Sequence, residues 1–328
     1  MLFNPDLFKT DLFDSKLTNF NDFAESLFLW QLENNLVLSE YYKTVTNPHS
    51  SSLTSPLFLP IQFFKTHKVV AGNFESQATF TSSSTTGVIP SSHYVKDISI
   101  YHQSFTYAFN RFYGDVKEYT ILALLPSYME RSGSSLVMMA DQLIKDSEQN
   151  ESGFYLNEFE KLHRTLTSLK AQKKKTILLG VTFALIDFAE SFPIDFPELI
   201  VMETGGMKGR RAELIRDEVH GILKKGFGVS KIHSEYGMTE LLSQAYSKGD
   251  GKFVCPTWMK IIITDPTDPF TKLPNGRSGV INIIDLANIY SCAFIQTSDI
   301  GIVNYDGSFE VLGRLDNSDI RGCSLMYL

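Results

Sequence analysis

Near residue 240 the chain reads Ser234-Glu235-Tyr236-Gly237-Met238-Thr239-Glu240, an aromatic, a hydroxyl and a carboxylate gathered around one glycine. Residues 229–233 alternate polar and apolar and read as a short strand, so this segment is the turn into which the strand empties. Such a turn suits a nucleotide. The Tyr236 ring can stack on a base, the Thr239 hydroxyl can bond a phosphate oxygen, and Glu240 can hold the Mg²⁺ that bridges phosphates. By itself the segment also reads as a plain turn that closes a strand.

Three further stretches carry chemistry-bearing residues. Thr81-Ser82-Ser83-Ser84-Thr85-Thr86-Gly87-Val88-Ile89-Pro90-Ser91 is rich in hydroxyls and holds one glycine. Between a strand and a helix it would cradle phosphate with backbone N–H groups and hydroxyls; a flexible Ser/Thr linker has the same composition. Gly205-Gly206 follows an apolar run, where adjacent glycines let backbone approach a flat ligand or simply make a tight turn. Arg131, in the polar stretch after residues 119–126, suits a structural ion pair and an anion contact equally.

The elements that must position these residues follow from periodicity. Residues 119–126 and 176–181 are apolar almost throughout, as parallel strands covered on both faces are. Helical spacing over 96–113, 154–172, 182–191 and 213–225 separates the strands. That alternation is the α/β signature, and α/β ligand sites lie past the carboxyl ends of the strands. At the N-terminus, about 1–50, Phe8, Leu12, Leu17, Phe20, Leu27 and Phe28 recur at helical spacing and read as a core-facing stripe. Residues 57–64 and 74–81 read as strands or extended segments, and Asp306-Gly307 as a hairpin turn.

The chain has 328 residues, 43% hydrophobic and 20% charged, enough to bury about 75% of its unfolded surface without disulfide staples. A formal charge of −7 argues against a nucleic-acid partner, which needs a basic face. The three cysteines, Cys255, Cys292 and Cys323, show no CxxC spacing, so neither a disulfide framework nor a zinc site is expected. A cytoplasmic protein without signal peptide or membrane span is the expectation. Cys255 and Cys292 sit among apolar neighbours and read as core.

Tyr236-Gly237-x-Thr239-Glu240 resembles the central motif of the adenylate-forming superfamily, which includes the acyl-CoA ligases. The stretch from Thr81 to Pro90 resembles its phosphate loop, with two departures: serine replaces the internal glycine at 83 or 84, and Ser91 stands where a lysine is common. Gly205-Gly206 falls where the family lines the adenine. Residues 273–284 are similar to a further family segment. Gln296-Thr297-Ser298-Asp299 resembles the motif whose aspartate bridges the ribose hydroxyls, and Gly313-Arg314-Leu315-Asp316 resembles the hinge between the family's two domains.

Within that superfamily the chain resembles the acyl-protein synthetases, the LuxE family. The residues that carry this likeness are Leu124-Leu125-Pro126-Ser127-Tyr128-Met129-Glu130-Arg131-Ser132-Gly133-Ser134-Ser135-Leu136 and Arg321-Gly322-Cys323-Ser324. The resemblance implies the large N-terminal domain of the adenylate-forming fold over 1–315, mixed and parallel sheets flanked by helices. A hinge-like tail, 316–328, would carry Cys323, with the family's usual C-terminal domain absent. It further implies ATP and Mg²⁺, with Thr239, Glu240 and the loop of Thr81, Ser82, Ser83, Ser84, Thr85, Thr86 and Gly87 on the phosphates. Gly205, Gly206, Tyr236, Gly237, Asp299 and Arg314 would hold the nucleoside, with Arg131 on the substrate.

The implied reaction makes an acyl-adenylate from a fatty acid or other carboxylic acid. The thiolate of Cys323 would then take the acyl group and pass it to an acceptor protein, a reductase or a carrier. Two alternatives stay open: an adenylating enzyme that loads an acyl carrier protein or CoA without acylating itself, and a degenerate nucleotide-binding subunit. By position alone Cys323 is also an inert terminal cysteine.

Overall fold

Thr120–Leu124 and Thr176–Gly180, the two uninterrupted apolar runs, are strands buried along their whole length in this computed structural model. The structure describes residues 3–13, 19–46, 56–82, 89–125, 133–205 and 214–315. They belong to two compact units that interleave along the chain. One comprises Met1–Gln77, Ser84–Lys96 and Thr257–Leu328, the other Ala78–Ser83 and Asp97–Pro256. The tail 316–328 expected to carry Cys323 lies outside the described residues.

The second unit is built on a sheet whose strand order is Gly153–Phe154, Thr120–Leu124, Thr176–Gly180, Ile200–Glu203, His233–Tyr236, Ala245–Ser247, Phe253–Val254. The first five strands run parallel, and the last two pairings are antiparallel. Parallel neighbours need crossovers, supplied here by helices Ser135–Ser147, Phe159–Ala171, Thr182–Ser191 and Arg216–Phe227. Three of these helices bury one stripe, while Thr182–Ser191 is buried on nearly every side. On Phe159–Ala171, Leu162, Leu166 and Leu169 lie three and four residues apart and are fully buried. Burial of such a leucine contributes about 1.5–3 kcal/mol. Helix Ile98–Tyr113 starts where the Asp97 carboxylate accepts from Ser99 N at 3.0 Å, a normal N-cap, and it buries Tyr101, Phe105, Ala108 and Phe109.

The first unit carries helices Pro5–Leu12, Phe20–Asn34 and Leu36–Val45 and an antiparallel sheet of Met259–Thr264, Ser278–Asp285, Phe294–Val303 and Phe309–Arg314. Leu59–Pro60 adds a short parallel edge to Phe294–Val303. Gln31, fully buried on the second helix, donates to the carbonyls of Asn288 and Ile289 at 2.8 Å and accepts from Ala293 N at 3.0 Å. One side chain thereby satisfies three backbone groups of an otherwise irregular buried loop. No helix among the described residues is long and apolar enough to cross a membrane.

Some boundaries differ from those read in the sequence. Phe63 and Phe64 start a short helix, Phe63–Thr66, so only Leu59–Pro60 of that apolar run is a strand. Residues 74–77 are not strand, and Phe154 pairs with the sheet ahead of its helix. The strand before the Tyr236 motif begins at His233, because the preceding helix ends at Gly228 in a left-handed cap (φ 68) and residues 229–232 lead away from it. Ser234, Glu235 and Tyr236 are therefore strand residues, and only Gly237 onward forms the turn.

Candidate functional site

In the second unit the expected residues collect at the carboxyl edge of the parallel strands. Strand pairing sets Gly180 beside Glu203 and Glu203 beside Ser234, which brings Thr204-Gly205 next to the start of the Tyr236 segment. The turn after Glu203 is tied to its neighbour. Thr204 N donates to Gly180 O at 3.0 Å, and Thr182 N donates to Gly205 O at 3.3 Å. Gly205 has φ +69, and a Cβ added there would meet nothing within 4 Å among the described residues. Its glycine is thus required by backbone conformation.

Tyr236 ends its strand with its ring centroid 5.8 Å from that of Phe253. Gly237 is glycine for a different reason: a Cβ there would overlap the Glu235 carboxylate and sit 3.3 Å from Gln244 Cγ. A turn follows, closed by Leu241 N donating to Met238 O at 3.1 Å, and it holds Thr239 half-buried and Glu240 buried at 5% exposure. Thr81 N donates to Gly133 O at 2.8 Å, so the start of the hydroxyl-rich loop is stitched to the segment before helix Ser135–Ser147. A Cβ on Gly133 would press on Thr79 O at 2.9 Å and Thr81 Oγ1 at 3.1 Å, a close approach that only glycine permits. Ser82 is described; Ser83, Ser84, Thr85, Thr86, Gly87, Arg131, Gly206 and Cys323 lie outside the described residues.

In the first unit, antiparallel pairing sets Asp299 directly opposite Arg314. Arg314 Nε donates to Asp299 Oδ1 at 3.2 Å, and Asp299 N donates to Thr297 Oγ1 at 3.0 Å. The aspartate is mostly buried, its side chain 12% exposed against 78% for Arg314. The two residues singled out separately in the sequence thus form one acidic–basic pair.

Electrostatics sort the remaining groups. Glu235 is half-buried near the end of its strand, and burial pushes its carboxyl up to about 8. Its cross-strand partner is Tyr246, whose buried hydroxyl has no hydrogen bond among the described residues. Burial, with Lys248 and Lys231 adding to it, lowers His233 to about 4, and its Nδ1 lies 3.1 Å from the Tyr113 hydroxyl. Cys292 is fully buried, and burial pushes its thiol up to about 12, as a core cysteine requires; Cys255 is only half-buried.

No group of three or more His, Cys, Asp or Glu among the described residues forms a metal site. One buried carboxylate, Glu240, suits Mg²⁺ all the same, because that ion keeps several waters and takes one or two carboxylates plus phosphates. Sequence reasoning missed Gly133, Glu203, His220 and Glu235. The signal for Glu203 was present: a carboxylate at the end of an apolar strand, two residues before glycine.

Comparison with known proteins places this geometry. A family model described as acyl-protein synthetase, LuxE matches residues 54–327. The long-chain-fatty-acid–luciferin-component ligase of Aliivibrio fischeri is 26% identical over 288 residues, 80% of this chain and 75% of that protein. The ligase of the same description from Vibrio harveyi is 26% identical over 138 residues, 39% of this chain and 36% of that protein. Among solved structures, 2-hydroxyisobutyryl-CoA ligase with 2-HIB-AMP superposes with a TM-score of 0.64 at 12% identity, covering 90% of this chain and 67% of that one. ATP-bound MatB from Rhodopseudomonas palustris gives 0.53 at 18% identity, covering 72% and 48%. The match thus spans about a third of the Vibrio harveyi ligase and about half of MatB. These likenesses bear out the α/β fold with mixed and parallel sheets expected of a large adenylate-forming domain.

Proposed function

The chain belongs to the acyl-protein synthetase, LuxE family, and we propose that it activates a long-chain fatty acid with ATP and passes the acyl group on as a thioester. The observation that carries this reading is the gathering of the Gly205 turn and the Tyr236–Glu240 segment at the carboxyl edge of one parallel sheet, within a family match of this extent. The relatives' description as long-chain-fatty-acid ligases, and the ATP and acyl-adenylate in the solved structures, support the choice of substrates.

In this reading a carboxylate oxygen of the acid attacks the α-phosphorus of ATP, and pyrophosphate leaves with the electron pair of the broken P–O bond. Thr239 and the loop of Thr81 to Gly87 would hold the phosphates, and Glu240 would hold an Mg²⁺ supplying charge that neutralises them. Tyr236 and Gly205-Gly206 would flank the adenine. In the first unit Asp299, paired with Arg314, is the residue proposed for the ribose hydroxyls. Arg131 contacts an anionic group of the substrate.

The Cys323 thiolate then attacks the acyl carbon, AMP departs, and the thioester is handed to an acceptor protein. A free thiol with a pKa near ~8.5 is a few per cent thiolate at neutral pH, and Arg321 two residues away raises that share. Cys292 is a poor rival for this role, buried and protonated throughout the physiological range.

The test incubates the purified chain with ATP, Mg²⁺ and a labelled long-chain fatty acid, then resolves it by denaturing electrophoresis. Hydroxylamine-labile label on the wild type and none on Cys323→Ala supports both steps. Label on both moves the nucleophile elsewhere, Cys255 first. Absence of label together with absence of acid-dependent ATP–pyrophosphate exchange sinks the reading.

A further inference from the structure

Three elements of the second unit aim polar side chains at one carboxylate carried by a fourth. Glu203 ends strand Ile200–Glu203, and its Oε1 accepts from His220 Nε2 at 3.0 Å and from Ser234 Oγ at 3.1 Å. Its Oε2 accepts from Thr182 Oγ1 at 3.2 Å. His220 comes from helix Arg216–Phe227, Ser234 from strand His233–Tyr236, and Thr182 from the first turn of helix Thr182–Ser191. All four residues are buried. Burial pushes the Glu203 carboxyl up, but His220, Ser234 and Thr182 more than offset it and hold the group below the ordinary glutamate range.

A buried carboxylate is a costly way to join two strands and two helices, since apolar side chains of similar volume hold a core as well or better. What distinguishes this one is where its bonds lead. Glu203 is followed directly by Thr204-Gly205, whose backbone is bonded to Gly180 and to Thr182. Ser234 leads directly into Glu235-Tyr236-Gly237. Thr182 binds this assembly twice, its hydroxyl to Glu203 and its backbone N–H to Gly205 O. We propose that Glu203, oriented by His220, is a positioning residue for the nucleotide: it locks the Gly205 turn and the Tyr236–Glu240 segment at one spacing. The inference rests on ATP as the ligand of these two segments. Small displacements of such supports are felt strongly at the site they carry.

The experiment compares wild type, Glu203→Gln, His220→Gln and the milder Ser234→Ala in acid-dependent ATP–pyrophosphate exchange, with ATP binding by calorimetry and thermal melting in parallel. Glu203→Gln keeps the shape and a hydrogen-bonding amide, so the fold has the best chance of surviving; Ser234→Ala removes a single bond. The expected result is a rise of about ten- to a hundredfold in KM for ATP for Glu203→Gln and His220→Gln. A smaller rise is expected for Ser234→Ala, with kcat at saturating ATP and KM for the acid nearly unmoved in all three. Melting temperatures that fall while KM for ATP stays at the wild-type value would show a purely structural cluster and overturn the inference. A wild type that neither binds ATP nor exchanges pyrophosphate overturns the nucleotide reading itself, and this inference with it.

Discussion

Replacing Glu235 by glutamine changes one atom of a nearly isosteric side chain, and the structure fixes how stability should respond to pH. The native carboxyl titrates near 8, against 4.5 for the unfolded chain, because burial disfavours its charge. A raised carboxyl contributes its full share to stability below the unfolded value. That share is lost as pH climbs from about 4.5 to about 8, because only the unfolded state gains by ionising. The interval corresponds to roughly 5 kcal/mol at most, at about 1.4 kcal/mol per pH unit. With ~2.1 cal/mol/K per residue over 328 residues, unfolding carries about 0.7 kcal/mol/K, so the midpoint moves by about 7 °C, and by more when the second unit melts alone.

The assay is thermal unfolding of wild type and Glu235→Gln in matched buffers from pH 4.5 to 9. Glutamine does not titrate, and every other group is shared, so the difference between the two melting temperatures isolates Glu235. The two should differ by a small constant offset at pH 4.5 and separate progressively above it, the variant being the more stable and the gap levelling off above pH 8. A gap that is flat in pH, or a wild type that gains on the variant as pH rises, would refute the assignment of a buried, neutral carboxyl.

Gly237→Ala should leave the chemical-denaturation midpoint almost unmoved while raising KM for ATP, because its methyl meets only the far end of the flexible Glu235 side chain, which turns aside within the candidate site; an unchanged KM would show that this turn does not touch the nucleotide. Asp299→Ala should raise KM for ATP about tenfold or more in pyrophosphate exchange, and Arg314→Ala by less, since the aspartate is the mostly buried member of the pair; equal effects would contradict that ordering. Iodoacetamide at pH 8 should modify Cys255 in the folded chain and leave Cys292 untouched in peptide mass mapping, the latter being enclosed and protonated; labelling of Cys292 without denaturant would overturn its core placement.

Much of the second unit was legible because its physics is local. Residues 120–124 and 176–180 are apolar without alternation, which parallel strands buried on both faces require, and the leucines of Phe159–Ala171 repeat at helical spacing. Phe63 and Phe64 misled because large aromatics suit strands and buried helices alike. The Tyr236 segment was legible as a motif, but its strand was placed too early, since the left-handed cap at Gly228 takes up the residues before His233. The Glu203 cluster was beyond sequence reading. Its donors stand 17, 21 and 31 residues away, separations too long for a helical or strand period to reveal. The pairing of Asp299 with Arg314 depended likewise on a register that includes an irregularity between Ile300 and Gly301.

The interleaving of the two units bears on how the chain is made. The second unit has all its residues once Pro256 has been synthesised, but the first needs strands from beyond Thr257 to cover helices near the N-terminus. Phe28 packs its ring against that of Phe294, centroids 5.0 Å apart, and Gln31 binds the loop that precedes that strand. At about 5–20 residues per second on the ribosome, those partners emerge on the order of tens of seconds after the helix that awaits them. Through that interval Phe28 and Gln31 lack the partners that strand and loop supply. Slower translation or scarcer chaperone should therefore lower the yield of folded protein.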